Sequence, residues 1–150
     1  MTAETSVPCF NCVQNAKDEL ALREDVWRVP GWRLALAFNS SLPGWLVAVP
    51  GRHVEALEEL NDAETEALGK LLRDASKALK SVTGCVKTYV ILLAEAPGFA
   101  HLHFHIVPRM VDLPEERTGT AIFAYLKEEP LTDDRRDELA RQIRYALSNY

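Results

Sequence analysis

The chain lacks any run approaching the roughly 20 apolar residues that a membrane span requires, and its first residues offer neither a basic leader nor a long apolar stretch. Both absences point to a cytoplasmic protein. It also lacks a cationic excess. Seventeen Lys and Arg against 22 Asp and Glu leave a formal net charge of −5, which argues against nucleic acid or an anionic membrane as a partner. Cysteine is scarce: three residues are an odd number and make no disulfide framework, although Cys9-Phe10-Asn11-Cys12 has the spacing of a metal knuckle or a redox pair. Neither a Gly-x-Ser-x-Gly elbow nor a phosphate-cradling glycine loop occurs, so two common routes to acyl and phosphoryl chemistry have no carrier here.

Histidine is rare too, with four in 150 residues, yet three of them alternate in one apolar run, His101-Leu102-His103-Phe104-His105-Ile106-Val107-Pro108-Arg109. In an extended strand successive side chains leave on opposite faces, so three imidazoles would share one face at a spacing of roughly 6–7 Å. Leu102, Phe104 and Ile106 would share the other. Imidazole titrates near neutrality and serves as nucleophile, proton carrier or metal ligand, so a row of three is a chemical face opposite a core face. Chance placement on a half-polar strand is the plain alternative, and a hydrolytic metal centre held by the three imidazoles is another. The latter requires backbone distortion, because neighbours on one strand face do not converge on one ion.

The remaining chain, 47% hydrophobic, is expected to form one α+β domain over residues 1–150. Residues 1–6 read as a frayed leader. Pro-Gly-Trp occurs at Pro30-Gly31-Trp32 and Pro43-Gly44-Trp45, and Pro followed by Gly suits the centre of a type II turn. Each copy should feed a strand, Trp32 to Phe38 and Trp45 to Val49, paired as a hairpin across Asn39 to Gly44; Asp25 to Val29 adds a further strand. Val54 to Leu60 reads as a short helical turn. Leu68, Leu71, Leu72, Ala75, Leu79 and Val82 then recur at helical spacing between an Asn61/Asp62 cap and Gly84. Gly69 inside this helix either permits close packing or costs about 1 kcal/mol relative to Ala. Val86 to Ala94 reads as a core strand, so the sheet has about five antiparallel strands. After Met110 come a polar loop, an ambiguous segment at Thr120 to Leu126, and a C-terminal helix opened by Thr132 with Leu139, Ile143 and Leu147 inward and its arginines solvated.

The run His101 to Arg109 resembles the signature of the histidine triad (HIT) family of nucleotidyl hydrolases and transferases, in which His-x-His-x-His is followed by two apolar residues and often Pro-Arg. Cys9 and Cys12, the Pro50-Gly51-Arg52-His53 element and the helix from Ala63 match the family's order of features, so the resemblance covers about Cys9 to Arg109. Residues 111–150 fall in a part that varies within the family.

The resemblance implies a HIT-like fold, and a reaction at the α-phosphate of a nucleotide conjugate: a dinucleoside polyphosphate, a nucleoside phosphoramidate or an adenylylated compound. His103 matches the nucleophile, which forms a covalent nucleotidyl-histidine. His105 would contact the phosphoryl oxygens and assist departure of the leaving group, while His101 supports through its main-chain carbonyl. Asn39 stands where one branch of the family binds the ribose hydroxyls, although a turn role in Asn39-Ser40-Ser41 is equally compatible with the sequence. Cysteine-bearing members imply a structural zinc on Cys9, Cys12, His53 and His101, and the family's mode of pairing implies a homodimer. The chain departs from the family at Pro97 and Gly98, where many members place Gln and then Ser or Thr, and at Trp45, where His is common. Glu95 or the Gly98 amide could substitute in the nucleotide pocket. A non-catalytic nucleotide-binding module of the same fold is the alternative that this loss favours.

Overall fold

The computed structural model describes residues 7–150; the leader expected over residues 1–6 lies outside them. The sheet begins where the turn chemistry places it. Pro30 and Gly31 occupy the centre of a tight turn, with Gly31 at φ +85°, and close a hairpin between β1 (Trp27–Val29) and β2 (Trp32–Leu36). A second hairpin joins β2 to β3 (Leu46–Pro50), and β4 (Lys87–Leu92) and β5 (Phe104–Arg109) complete an antiparallel sheet of order β1-β2-β3-β5-β4. The α+β class and the five-stranded antiparallel sheet are as expected.

Among the described residues three α-helices accompany the sheet: α1 (Phe10–Asn15), α2 (Asp62–Thr83) and α3 (Asp133–Leu147). The main helix starts on a reciprocal cap, with the Asn61 side chain accepting from the Glu64 N–H and the Glu64 carboxylate accepting from the Asn61 N–H. It stops at Gly84, whose φ of +72° a side-chain-bearing residue adopts only with strain. A Cβ added at Gly69 would meet nothing within 4 Å, so this glycine is a helix weakness and not a close-packing site.

The two sheet faces differ. Leu34, Leu46, Ala48, Phe104 and Ile106 turn to one face and form the main core with α2 and with Leu139, Ile143 and Leu147 of α3. The other face carries Trp45, Val47 and Val107, against which the short helical segment Gly119–Leu126 lays Ile122 and Phe123. That segment is the one whose type the sequence left open. Among the described residues no helix is long and apolar enough to cross a membrane.

Three expectations are corrected. The histidine strand starts at Phe104, because the β3–β5 ladder runs only to the Ala48–Phe104 pair and the Leu102 N–H donates to the Val54 carbonyl at 2.7 Å. β4 is an edge strand and not a core strand, with Val90 46% exposed. Arg136 of α3 is buried and pairs with Glu24 at 2.9 Å while donating to the Leu36 carbonyl, so the arginines of that helix are not all solvated.

Candidate functional site

The alternation of the three histidines persists side by side but leads to two separate places. His101, fully buried, turns its Nδ1 toward the first turn of α1, whereas His103 and His105 border a cavity of about 690 Å³ on the second sheet face.

At the first place Cys9 is the N-cap of α1 and its Sγ accepts from the Cys12 N–H at 3.3 Å, which sets the two sulfurs on one side of a single helical turn. His53 follows β3 through Gly51, whose N–H donates to the Gly31 carbonyl at 3.0 Å. Arg52 binds the Glu64 carboxylate at 2.7 and 3.0 Å, so the loop bearing His53 is fastened to the capped end of α2. Cys9 Sγ and Cys12 Sγ lie 3.6 and 3.5 Å from His101 Nδ1, Cys12 Sγ lies 3.1 Å from His53 Nδ1, and the two Nδ1 atoms are 3.2 Å apart. A tetrahedral ion with Zn–S of about 2.3 Å and Zn–N of about 2.0–2.1 Å sets S–N edges of about 3.6 Å and N–N edges of about 3.3 Å, close to the distances found.

The outer nitrogens agree with that fit. His101 Nε2 faces the Pro50 carbonyl at 2.9 Å and His53 Nε2 faces Glu55 at 2.9 Å; both partners accept only, so both Nε2 atoms carry the protons and both Nδ1 lone pairs converge. Burial pushes the His101 pKa down, while Glu55 raises that of His53. The four donor atoms lie within 4.8 Å of one another and are compatible with zinc.

At the second place His103 is 8% exposed, and its Nδ1 lies 2.8 Å from the His101 carbonyl, which can only accept. The proton therefore sits on Nδ1 and the lone pair on Nε2. His105 stands beside it at a ring separation of 5.0 Å, with Trp45 and Phe123 edge-on at 5.6 and 5.1 Å. Burial, and then the neighbouring His103, depress the His105 pKa to about 4, so this ring is neutral at pH 7. Phe10, Phe38 and Phe99 cluster with centroids 4.8 to 6.1 Å apart and form an apolar wall of the cavity.

Asn39 and Glu95 border the same cavity, but Gly98 does not. The Gly98 carbonyl instead accepts from the Phe10 N–H at 3.1 Å, and a Cβ there would press on Val7 at 3.0 Å, so this glycine seats the N-terminal segment. The cavity also has a polar end that sequence reasoning missed. Arg33 is 3% exposed, and its Nη2 has no hydrogen-bond partner among the described residues. Its position inside an otherwise apolar strand was the available signal. Ala94 borders the cavity at φ +49°, a left-handed conformation uncommon outside Gly.

No protein-family model matches the chain. An uncharacterized HIT-like protein of Borreliella burgdorferi is 34% identical over 84 residues, which make up 51% of this chain and 60% of that protein. A zinc-bound histidine triad family protein of Mycobacterium smegmatis superposes with a TM-score of 0.70 at 18% identity, covering 94% of each chain. A uridylyltransferase superposes with a TM-score of 0.66 at 26% identity over 95% of this chain and 46% of its own. The chain thus shares its fold with solved histidine triad family proteins and carries His101, His103 and His105 on it.

Proposed function

We propose that the chain is a nucleotidyl hydrolase or transferase that works through a covalent intermediate on His103. The observation that carries this reading is the hydrogen bond from His103 Nδ1 to the His101 carbonyl, which leaves Nε2 as a free nucleophile beside His105 at the cavity. In the first step Nε2 attacks the α-phosphorus of a nucleotide conjugate. A P–N bond forms, and the bond from phosphorus to the leaving group breaks with its electron pair. Water, or another acceptor in a transferase, then attacks the same phosphorus, and the P–N bond breaks to return the lone pair to His103. Two displacements of moderate height replace one difficult one. His105 holds a phosphoryl oxygen, Asn39 binds ribose, and the phenylalanine wall packs the base. The uridylyltransferase similarity supports nucleotidyl transfer on this fold.

Cys9, Cys12, His53 and His101 are the residues that would hold a zinc ion. Bound there, the ion would supply a closed structural cross-link between α1, the end of β3 and the segment entering β5. Because His101 turns to the cysteines, the three triad imidazoles do not converge on a common ion, which removes the support for a metal-dependent hydrolase using all three. The absence of side-chain donors at Pro97 and Gly98 is the one feature that favours a nucleotide-binding module without turnover.

Turnover decides between these readings. With a panel of dinucleoside polyphosphates and adenosine phosphoramidates, His103→Asn is expected to lose at least about 10³-fold in rate while still binding nucleoside monophosphate. Acid-sparing quench of the native protein during turnover should add one nucleotidyl mass to the peptide containing His103. Activity within tenfold of native in His103→Asn would sink the mechanism, and no turnover of any substrate would favour the binding module.

A further inference from the structure

We infer that Trp45 is a positioning residue for this site: its indole N–H fixes the tautomer and ring orientation of His105, so that His105 offers an N–H, and no lone pair, to the cavity. The inference rests on the nucleotidyl-transfer reading for its kinetic consequence, but its structural content stands apart from it.

The indole Nε1–H of Trp45 lies 3.0 Å from His105 Nδ1. Indole nitrogen donates and never accepts, so Nδ1 must supply the lone pair and the proton of the neutral ring must reside on Nε2. The opposite tautomer would set two N–H groups against each other. Trp45 is 1% exposed, so its ring cannot turn away cheaply, and the buried indole N–H would be left without an acceptor.

The ring itself has little room to turn. The Trp45 and His105 planes meet at 89°, and Phe123 closes a third side, edge-on to Trp45 at 5.4 Å and to His105 at 5.1 Å. Trp45 in turn is held by its backbone, since its carbonyl accepts from the Ala37 N–H at 2.9 Å directly after the Pro43-Gly44 turn. The low pKa of His105 agrees with the geometry, because a protonated ring would also place an N–H against the indole.

The chemical consequence is a division of labour between adjacent histidines. His103 presents a lone pair to phosphorus and His105 presents a hydrogen-bond donor, suited to an anionic phosphoryl oxygen through both displacements. With its only basic nitrogen engaged by Trp45, His105 cannot accept a proton from the attacking water.

The test replaces Trp45 with 3-benzothienylalanine, which keeps the shape of the bicyclic ring and deletes only the N–H. Native protein labelled with ¹⁵N-histidine should show His105 as a single Nε2–H tautomer at pH 7, and the isostere should show a second state in exchange. Turnover of a dinucleoside polyphosphate should fall about three- to tenfold in kcat, the worth of one hydrogen bond, with KM within about twofold. In a His105→Asn background the same isostere should change kcat by less than about 1.5-fold, because the N–H then has nothing to orient. Three results would each overturn the proposal: a native Nδ1–H tautomer, an isostere indistinguishable from native in both readouts, or an equal isostere effect with and without His105. If the native protein turns over no substrate, the transferase reading falls while the tautomer measurement alone still decides the role of Trp45.

Discussion

One residue separates His101 from His103, and one more separates His103 from His105, yet the three imidazoles differ in every respect that matters chemically. Each ring has one nitrogen fixed by a partner of known sense: the Pro50 carbonyl for His101, the His101 carbonyl for His103 and the Trp45 N–H for His105. The partner decides whether the opposite nitrogen donates or accepts. For His105 the same environment makes a prediction about stability. Its pKa is depressed to about 4 in the folded protein, against about 6.5 unfolded, so between those values the unfolded chain binds the extra proton. Its contribution to stability is therefore complete above about pH 6.5 and is lost as pH falls toward 4. Urea midpoints measured from pH 7.5 to 4.5 should decline less steeply in His105→Asn than in the native protein. Parallel curves for the two proteins would refute this assignment.

At the scale of elements, local chemistry was the most legible. Both Pro-Gly turns and the Asn61–Gly84 limits of α2 could be read because each depends on residues within a few positions of one another. The six residues of α1 could not, being too few for a periodic pattern, although Cys9 as their cap ties the helix to the one motif there that was recognised. The onset of β5 was misplaced for a related reason: alternation continues through His101 and His103, but pairing with β3 does not. Arg136 was misread because its partner Glu24 lies 112 residues away. The Cys9-Cys12-His53-His101 cluster was legible only by resemblance, since three separate segments must meet to form it. If zinc joins them, protein purified without added metal should contain close to one zinc per chain, and a chelator should lower its melting temperature. Cys12→Ser should reduce zinc content severalfold and melt at the temperature of the chelated native protein. Native protein with under about 0.2 zinc per chain, unaffected by chelator, would remove the proposal.

For the whole molecule, the sheet order leaves β1 and β4 at the edges, and the two edges are unlike. β1 is three residues long with an exposed arginine at its centre, a short, charged strand of the kind that resists pairing. β4 has six residues, and Val90 within it is 46% exposed while the flanking Val86 and Leu93 are 54% and 58% exposed. A long edge with apolar residues beside unpaired backbone groups favours strand addition, so we propose that two copies join along β4 into a continuous sheet. The net charge of −5 on each chain opposes this association, and screening by salt weakens that opposition while leaving apolar burial intact. Light scattering at about 10–50 μM should give twice the chain mass at 0.15 M salt and no less dimer at 0.5 M. Val90→Lys should give a folded monomer with an unchanged far-ultraviolet spectrum, because the residue is half exposed in a single copy and a charge there costs little until a second chain covers it. A native monomer across that concentration range, or a Val90→Lys dimer as tight as native, would show that this edge is not the contact.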